Sequence, residues 1–129
     1  PTQSEERAQI LAALLRKYRL QKTDSPLDMA KRVVDRMPPC LSGADFSAIA
    51  SQALMQSIQR LCQESERQAA GEKKSVDNVL DKWDEGRLVP LVTEEDLLLS
   101  AQHIVPSISP EELRRYEQLR KEFSSSAIT

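Results

Sequence analysis

Leu41-Ser42-Gly43-Ala44-Asp45-Phe46 opens the most informative stretch of the chain. Behind it, Phe46, Ile49, Ala50, Ala53, Leu54, Ile58 and Leu61 recur at the spacing of one helix face. Ser42 reads as an N-cap and Asp45 as its capping-box partner. A helix is expected from this start to about Gln68, with Ala50 and Ala53 small enough to let a second helix come close. Gly43 and Ala44 leave its first turn bare, so backbone N–H groups there can face a ligand or another segment of chain. Ordinary capping and a ligand-facing turn are both open at this point.

Working upstream, a first helix is expected from about Ser4, as cap, to Arg19, with Ile10, Leu11, Leu14, Leu15 and Tyr18 as its buried stripe. Arg16, Lys17 and Arg19 crowd its C-terminal end, where the helix dipole favours cations. Residues 21–26 read as a polar connection. Pro26 suits the first position of a second helix, because its missing N–H costs nothing there. That helix runs to about Arg36 with Leu27, Ala30, Val33 and Val34 facing inward, and Pro38 and Pro39 end it.

Downstream, the pattern breaks between Gly71 and Pro90, where charged residues crowd the chain. Val76, Val79, Leu80 and Trp83 can make a short amphipathic helix there, and a disordered insertion is the other reading. Thr93 and Asp96 repeat the capping-box signal, with Leu97, Leu98, Ala101 and Ile104 as the following stripe and Pro106 as the stop. Ser109, Pro110, Glu111 and Glu112 form another helix start, leading to Leu113, Tyr116, Leu119 and Phe123 on one side. Residues 124–129 are expected to fray. The pattern contains no convincing strand and no internal repeat. The expected fold is all-α, a small helical bundle divided into residues 1–71, an insertion at 72–90, and 91–129 carrying the last bundle helix and a C-terminal helix.

Composition limits the function classes. The chain has 129 residues, 40% hydrophobic and 29% charged, with 3 glycines and 4% aromatics. Such a chain can fold, but it is poor in the residues of a β-sandwich, a dinucleotide-binding sheet or an aromatic RNA-binding sheet. The net charge is −2, and the pI is near 5.5. Residues 1–74 hold 12 Lys/Arg against 9 Asp/Glu, whereas residues 75–129 hold 6 against 11. No basic tail exists, so nucleic acid is not expected as a partner. Cys40 and Cys62 lack metal-ligand spacing and His103 is the single histidine, so no metal site is expected. The thiols are expected to be reduced and partly buried in an intracellular protein. No signal peptide and no stretch of 18 apolar residues occurs. Pro1 opens the sequence without a methionine, which is expected of a piece of a longer chain.

No catalytic residues are assigned. No glycine-rich loop leads into Lys-Ser or Lys-Thr, and no acidic pair ends an apolar strand. Ser42, Ser47 and Ser51 have no histidine base nearby in sequence. Glu94–Glu95 and Glu111–Glu112 sit at helix starts, where dipole complementarity explains them.

Taken in order, the motifs resemble the lid subdomain of classical-clade AAA ATPases. Leu41 to Phe46 resembles the start of the long lid helix, and Pro1 to Leu20, with Arg7, Ile10 and Leu11, resembles the linker and first lid helix. Val92-Thr93-Glu94-Glu95-Asp96-Leu97 resembles the start of the last lid helix. Val105-Pro106-Ser107-Ile108-Ser109 and the helix through Tyr116 and Phe123 resemble the tail of a second, C-terminal ATPase domain. The runs from Ile10 to Tyr18 and from Pro38 to Asp45, with Ala53-Leu54-Met55, look most like the peroxisome-biogenesis branch of that clade. Phe46, Ile49 and the long polar insertion depart from its usual pattern.

The resemblance implies a hexameric machine that couples ATP hydrolysis to protein unfolding or extraction. The lid closes over the nucleotide, Gly43 and Ala44 line the adenine and ribose side, and neighbouring ATPase subunits pack against it. ATP with magnesium would serve the longer parent, with none held tightly by this chain alone. The phosphate loop, acidic catalytic residues, pore loops and arginine fingers would lie upstream. In the biogenesis branch the ring alternates with peroxin-1, the protein substrate is the ubiquitinated peroxisomal import receptor, and the site of action is the cytosolic face of the peroxisomal membrane, reached through an adaptor protein. A stand-alone helical adaptor, or the lid of a segregase or a microtubule-severing ATPase, are the alternatives.

Overall fold

Among the described residues six helix starts carry a side-chain cap, and three of these are reciprocal capping boxes. Thr2 Oγ1 accepts the Glu5 N–H at 3.1 Å while Glu5 accepts the Thr2 N–H at 2.9 Å. Ser42 and Asp45 make the same exchange at 3.2 and 2.9 Å, and Thr93 and Asp96 at 3.1 and 3.0 Å. Ser25, Ser75 and Asp84 cap three more helices through a single bond each. Caps of this kind contribute about 1 kcal/mol each.

The computed structural model describes residues 2–21, 25–105 and 110–128. In order, the elements are α1 (Gln3–Leu15), β1 (Arg19–Leu20), α2 (Pro26–Val34), α3 (Gly43–Glu72), α4 (Val76–Lys82), α5 (Glu85–Leu88), β2 (Leu91–Val92), α6 (Glu94–His103) and α7 (Pro110–Ile128). The fold is an all-α bundle. Its main core is built where α1 and α6 pack on the N-terminal half of α3 and α2 packs on α1 and α6. Leu11, Leu15, Met29, Val33, Val34, Phe46, Ile49, Val92 and Leu97 are all essentially inaccessible to solvent there. Ala50 and Ala53, both buried, give the thin helix face anticipated for close approach. A second cluster sits further along α3, where Ala69 meets Val79 and Trp83, with Leu61, Val76 and Leu80 around them.

Several expectations need correction. Thr2, not Ser4, caps α1, and Ser4 instead donates to Asp35 Oδ1 at 2.6 Å. α1 ends at Leu15, not Arg19, because the chain turns so that Arg19 and Leu20 become a strand. That strand pairs in parallel with Leu91 and Val92, so the chain does contain a ladder, Arg19 opposite Leu91 and Leu20 opposite Val92. Ile10 and Leu27, assigned to buried stripes, are exposed, and Ala8 and Met29 take the inward positions. The long helix passes Gln68 and runs through Gly71 to Glu72, where Lys73 adopts a left-handed backbone (φ 55°) and its N–H closes on the Ala69 carbonyl. Cys40 is buried but Cys62 is exposed, and both are free thiols. α7 continues to Ile128 rather than ending near Phe123. The expectations for Pro106, Ser109 and residues 22–24 of the 21–26 connection lie outside the described residues.

Candidate functional site

The turn singled out in the sequence lies at the exposed start of α3. Asp45 is buried, its carboxylate turned back to the Ser42 N–H. Phe46, the next residue, is buried in the main core and anchors the turn from below. Gly43 and Ala44 are exposed, and their N–H groups find no acceptor among the described residues. A Cβ built on Gly43 would meet nothing within 4 Å. The turn therefore presents two unspent donors and open space at the positive end of a long helix dipole, an arrangement that suits acceptor atoms on a ligand edge.

Arg7 holds this turn against α1. Its Nη2 donates to the Pro38 carbonyl at 2.7 Å, and its guanidinium carbon lies 5.7 Å from the centroid of the Phe46 ring. Its Nε is buried without an acceptor among the described residues. Burial lowers the proton affinity of the guanidinium, and Asp35 and Cys40 oppose that shift; the group stays charged at any ordinary pH. The consequence is positional: the segment from Pro38 to Ser42 is tied to α1, so a motion of α1 carries the start of α3 with it. Only the family resemblance had drawn attention to Arg7, since a single arginine in an amphipathic helix carries no local signal.

The far end of the bundle is fixed by a residue with two tasks. Asp96 closes the cap of α6 and also receives Arg60 in a bidentate pair, Nη1 to Oδ1 at 2.8 Å and Nη2 to Oδ2 at 2.6 Å. Arg60 Nη2 further donates to the Leu91 carbonyl at 3.2 Å. α3, β2 and α6 are thereby locked together by one guanidinium. Sequence inspection found the Thr93–Asp96 cap but not this long-range pair.

Ser47 and Ser51 are exposed on α3, and His103 is exposed at the end of α6, so the structure does not assemble them with one another. Among the described residues no group of three or more His, Cys, Asp or Glu side chains could hold a metal ion. Among the described residues no helix is long and apolar enough to cross a membrane.

The chain is similar to curated peroxisomal ATPases. It is 31% identical over 125 residues to the peroxisomal ATPase PEX6 of Cricetulus griseus, covering 95% of this chain and 11% of that protein. It is 33% identical over 123 residues to the Schizosaccharomyces pombe pex6 protein, covering 93% of the chain and 13% of the relative. The Kluyveromyces lactis PEX6 protein is 34% identical over 130 residues, covering 93% of the chain and 12% of that protein. Over most of its length the chain is homologous to the PEX6 peroxisomal ATPases. It spans about a tenth of the length of these relatives. No protein-family model matches it.

Proposed function

We propose that this chain is the helical lid of the second ATPase domain of a PEX6-type AAA ATPase. The observation that carries the reading is the homology across nearly the whole chain, which includes the Ser42–Phe46 turn and the start of α6. The geometry supports it. The bare first turn of α3 has the room and the unspent donors to meet the adenine and ribose side of a nucleotide, at Gly43 and Ala44. ATP, when bound, supplies the free energy of phosphoanhydride hydrolysis, and its phosphates and magnesium would be held by upstream residues. In this reading the chain itself carries no catalytic residue. It covers the nucleotide, and Arg7 and the Arg60–Asp96 pair keep the bundle stiff enough to turn as one body when the nucleotide changes.

The wider role that we propose is the one that the family resemblance implies. The parent would be an ATP hydrolase in a hexameric ring with peroxin-1 at the cytosolic face of the peroxisome, reaching the membrane through an adaptor and extracting the import receptor. Two measurements test this. The natural gene product, isolated from cells, should be many times larger than 14.6 kDa and carry a phosphate-binding loop. A natural product of this size would instead favour a stand-alone adaptor. In the large product, Gly43→Val and Ala44→Trp should each weaken binding of a fluorescent ATP analogue about tenfold or more, with thermal stability unchanged. Wild-type affinity in both variants would remove these two residues from the site.

A further inference from the structure

About 25 Å along α3 from the Gly43 turn, at 1.5 Å per residue, a separate cavity of 260 Å³ opens between α3, α5 and the β1–β2 ladder. Three guanidiniums converge on it: Arg19 from β1, Arg60 from α3 and Arg87 from α5. Ser57 and Glu64 share the α3 wall, one turn before and one turn after Arg60. Gathering three cations around one small space is unfavourable unless something compensates them. Arg60 is compensated by Asp96 and is structural. Arg19 spends one donor on the Gly86 carbonyl. Arg87 is different. Its guanidinium carbon lies 3.9 Å from the centroid of the Trp83 ring, so the plane is held in place, yet none of its side-chain N–H donors has an acceptor among the described residues. Glu64 makes no ion pair with any of the three among the described residues.

We propose that this cavity is a recognition site for an acidic segment of a partner protein, whose Asp or Glu carboxylate is received by Arg87 and Arg19. The charge of the wall selects the sign. A guanidinium already stacked on an indole loses little freedom on pairing, which suits bidentate capture of a carboxylate. The volume suits one or two side chains and is below the usual range of small-molecule pockets. Trp83 itself is held by its Nε1–H, which donates to Gln68 Oε1 at 3.0 Å, so the recognition platform is braced from α3. Glu64 opposes a second carboxylate and limits the site to one. The inference does not use the nucleotide-facing turn and stands whether or not the lid reading does.

The test is titration of the 129-residue chain with fluorescently labelled hexaglutamate, read by anisotropy, with inorganic phosphate as competitor. Saturable binding that weakens with added salt is expected. Arg87→Glu and Arg19→Glu should each weaken it about tenfold or more, and Glu64→Gln should strengthen it about threefold. Circular dichroism checks folding of each variant, and Arg87→Gln replaces Arg87→Glu if the latter unfolds. Absence of binding at about 1 mM peptide would overturn the proposal. So would undiminished binding in both arginine variants. Phosphate competing as well as the peptide itself, residue for residue, would reassign the site to small inorganic anions and overturn the acidic-segment claim.

Discussion

The same helix supports two hydrophobic clusters of different character. The N-terminal half of α3 is enclosed by α1, α2, β2 and α6, and Phe46, Ile49 and Ala53 are shut away from water on that side. Past the Arg60 contacts, the C-terminal end of α3 packs on α4 and the Trp83 turn, through Ala69, Val79 and Trp83. The first cluster joins segments from both ends of the bundle, so losing it loses the fold. The second joins neighbours in sequence and can open while the first stays closed. A long helix can thus be part of a cooperative core over one stretch and a mount for a locally stabilised appendage over the next.

The largest effect should come from the first cluster. Phe46→Ala removes a fully buried ring and the partner of Arg7, and should cost about 3–5 kcal/mol in urea unfolding. A cost below 1 kcal/mol would show that the main core does not depend on the turn above it. Trp83→Ala should break the comparison at its other end. Amide exchange should accelerate across residues 76–88, while amides of α1 and α2 keep their protection and global stability falls by no more than about 1 kcal/mol. If protection drops everywhere together, the two clusters are one cooperative unit. Lys73→Gly should sharpen the contrast from the stabilising side. It relieves the left-handed backbone at the end of α3 and should slow exchange in the Ala69 region, with a gain of about 0.5–1 kcal/mol. The smallest effect concerns neither cluster. α7 reaches α1 through Arg120, whose Nη1 and Nη2 donate to the two Glu6 carboxylate oxygens at 3.1 and 2.8 Å. The hydrogen bond from Arg120 lowers the Glu6 pKa; loss of hydration opposes it, and the charge of Arg120 adds to the lowering. A depressed carboxylate pKa means the tie is present above the ordinary glutamate value and is lost as pH falls through the lowered one. A spin-label distance between α1 and α7 should therefore be constant at neutral pH and lengthen only in acid, with both clusters still formed. A distance unchanged in acid would show that α7 is held by something other than this pair.

The parts that could be read from the sequence were local. Ser42–Asp45 and Thr93–Asp96 are legible because a capping box needs only residues three apart. The Thr2–Glu5 box carries the same signal, but Ser4, followed at once by Glu5 and Glu6, offers a competing cap in the sequence. The phase of α1 and α2 was misjudged at Ile10 and Leu27 because an isolated helix does not reveal which edge of its apolar stripe the neighbours cover. The β1–β2 ladder is two residues long and joins distant segments, so no alternation could announce it. The same holds for Arg60 with Asp96, and for the three arginines around the cavity between α3, α5 and the ladder, which only the packing of α5 beside β1 brings together. At the candidate turn, the residue types were legible in Gly43 and Ala44, and the support given by Arg7 was not.

The direction of the small ladder has a mechanical consequence. β1 follows α1, β2 precedes α6, and the two strands run parallel. A pull that drags α1 one way and α6 the other slides the strands lengthwise past each other, loading their hydrogen bonds together rather than peeling them in turn. Everything from α2 to α5 lies in the loop behind that latch and feels no tension until it slips. The Arg60 contact to the Leu91 carbonyl ties β2, one side of that seam, to α3. In an optical trap, force applied through α1 and α6 should meet the seam before it reaches the long helix, whereas force applied within α2–α5 would bypass it.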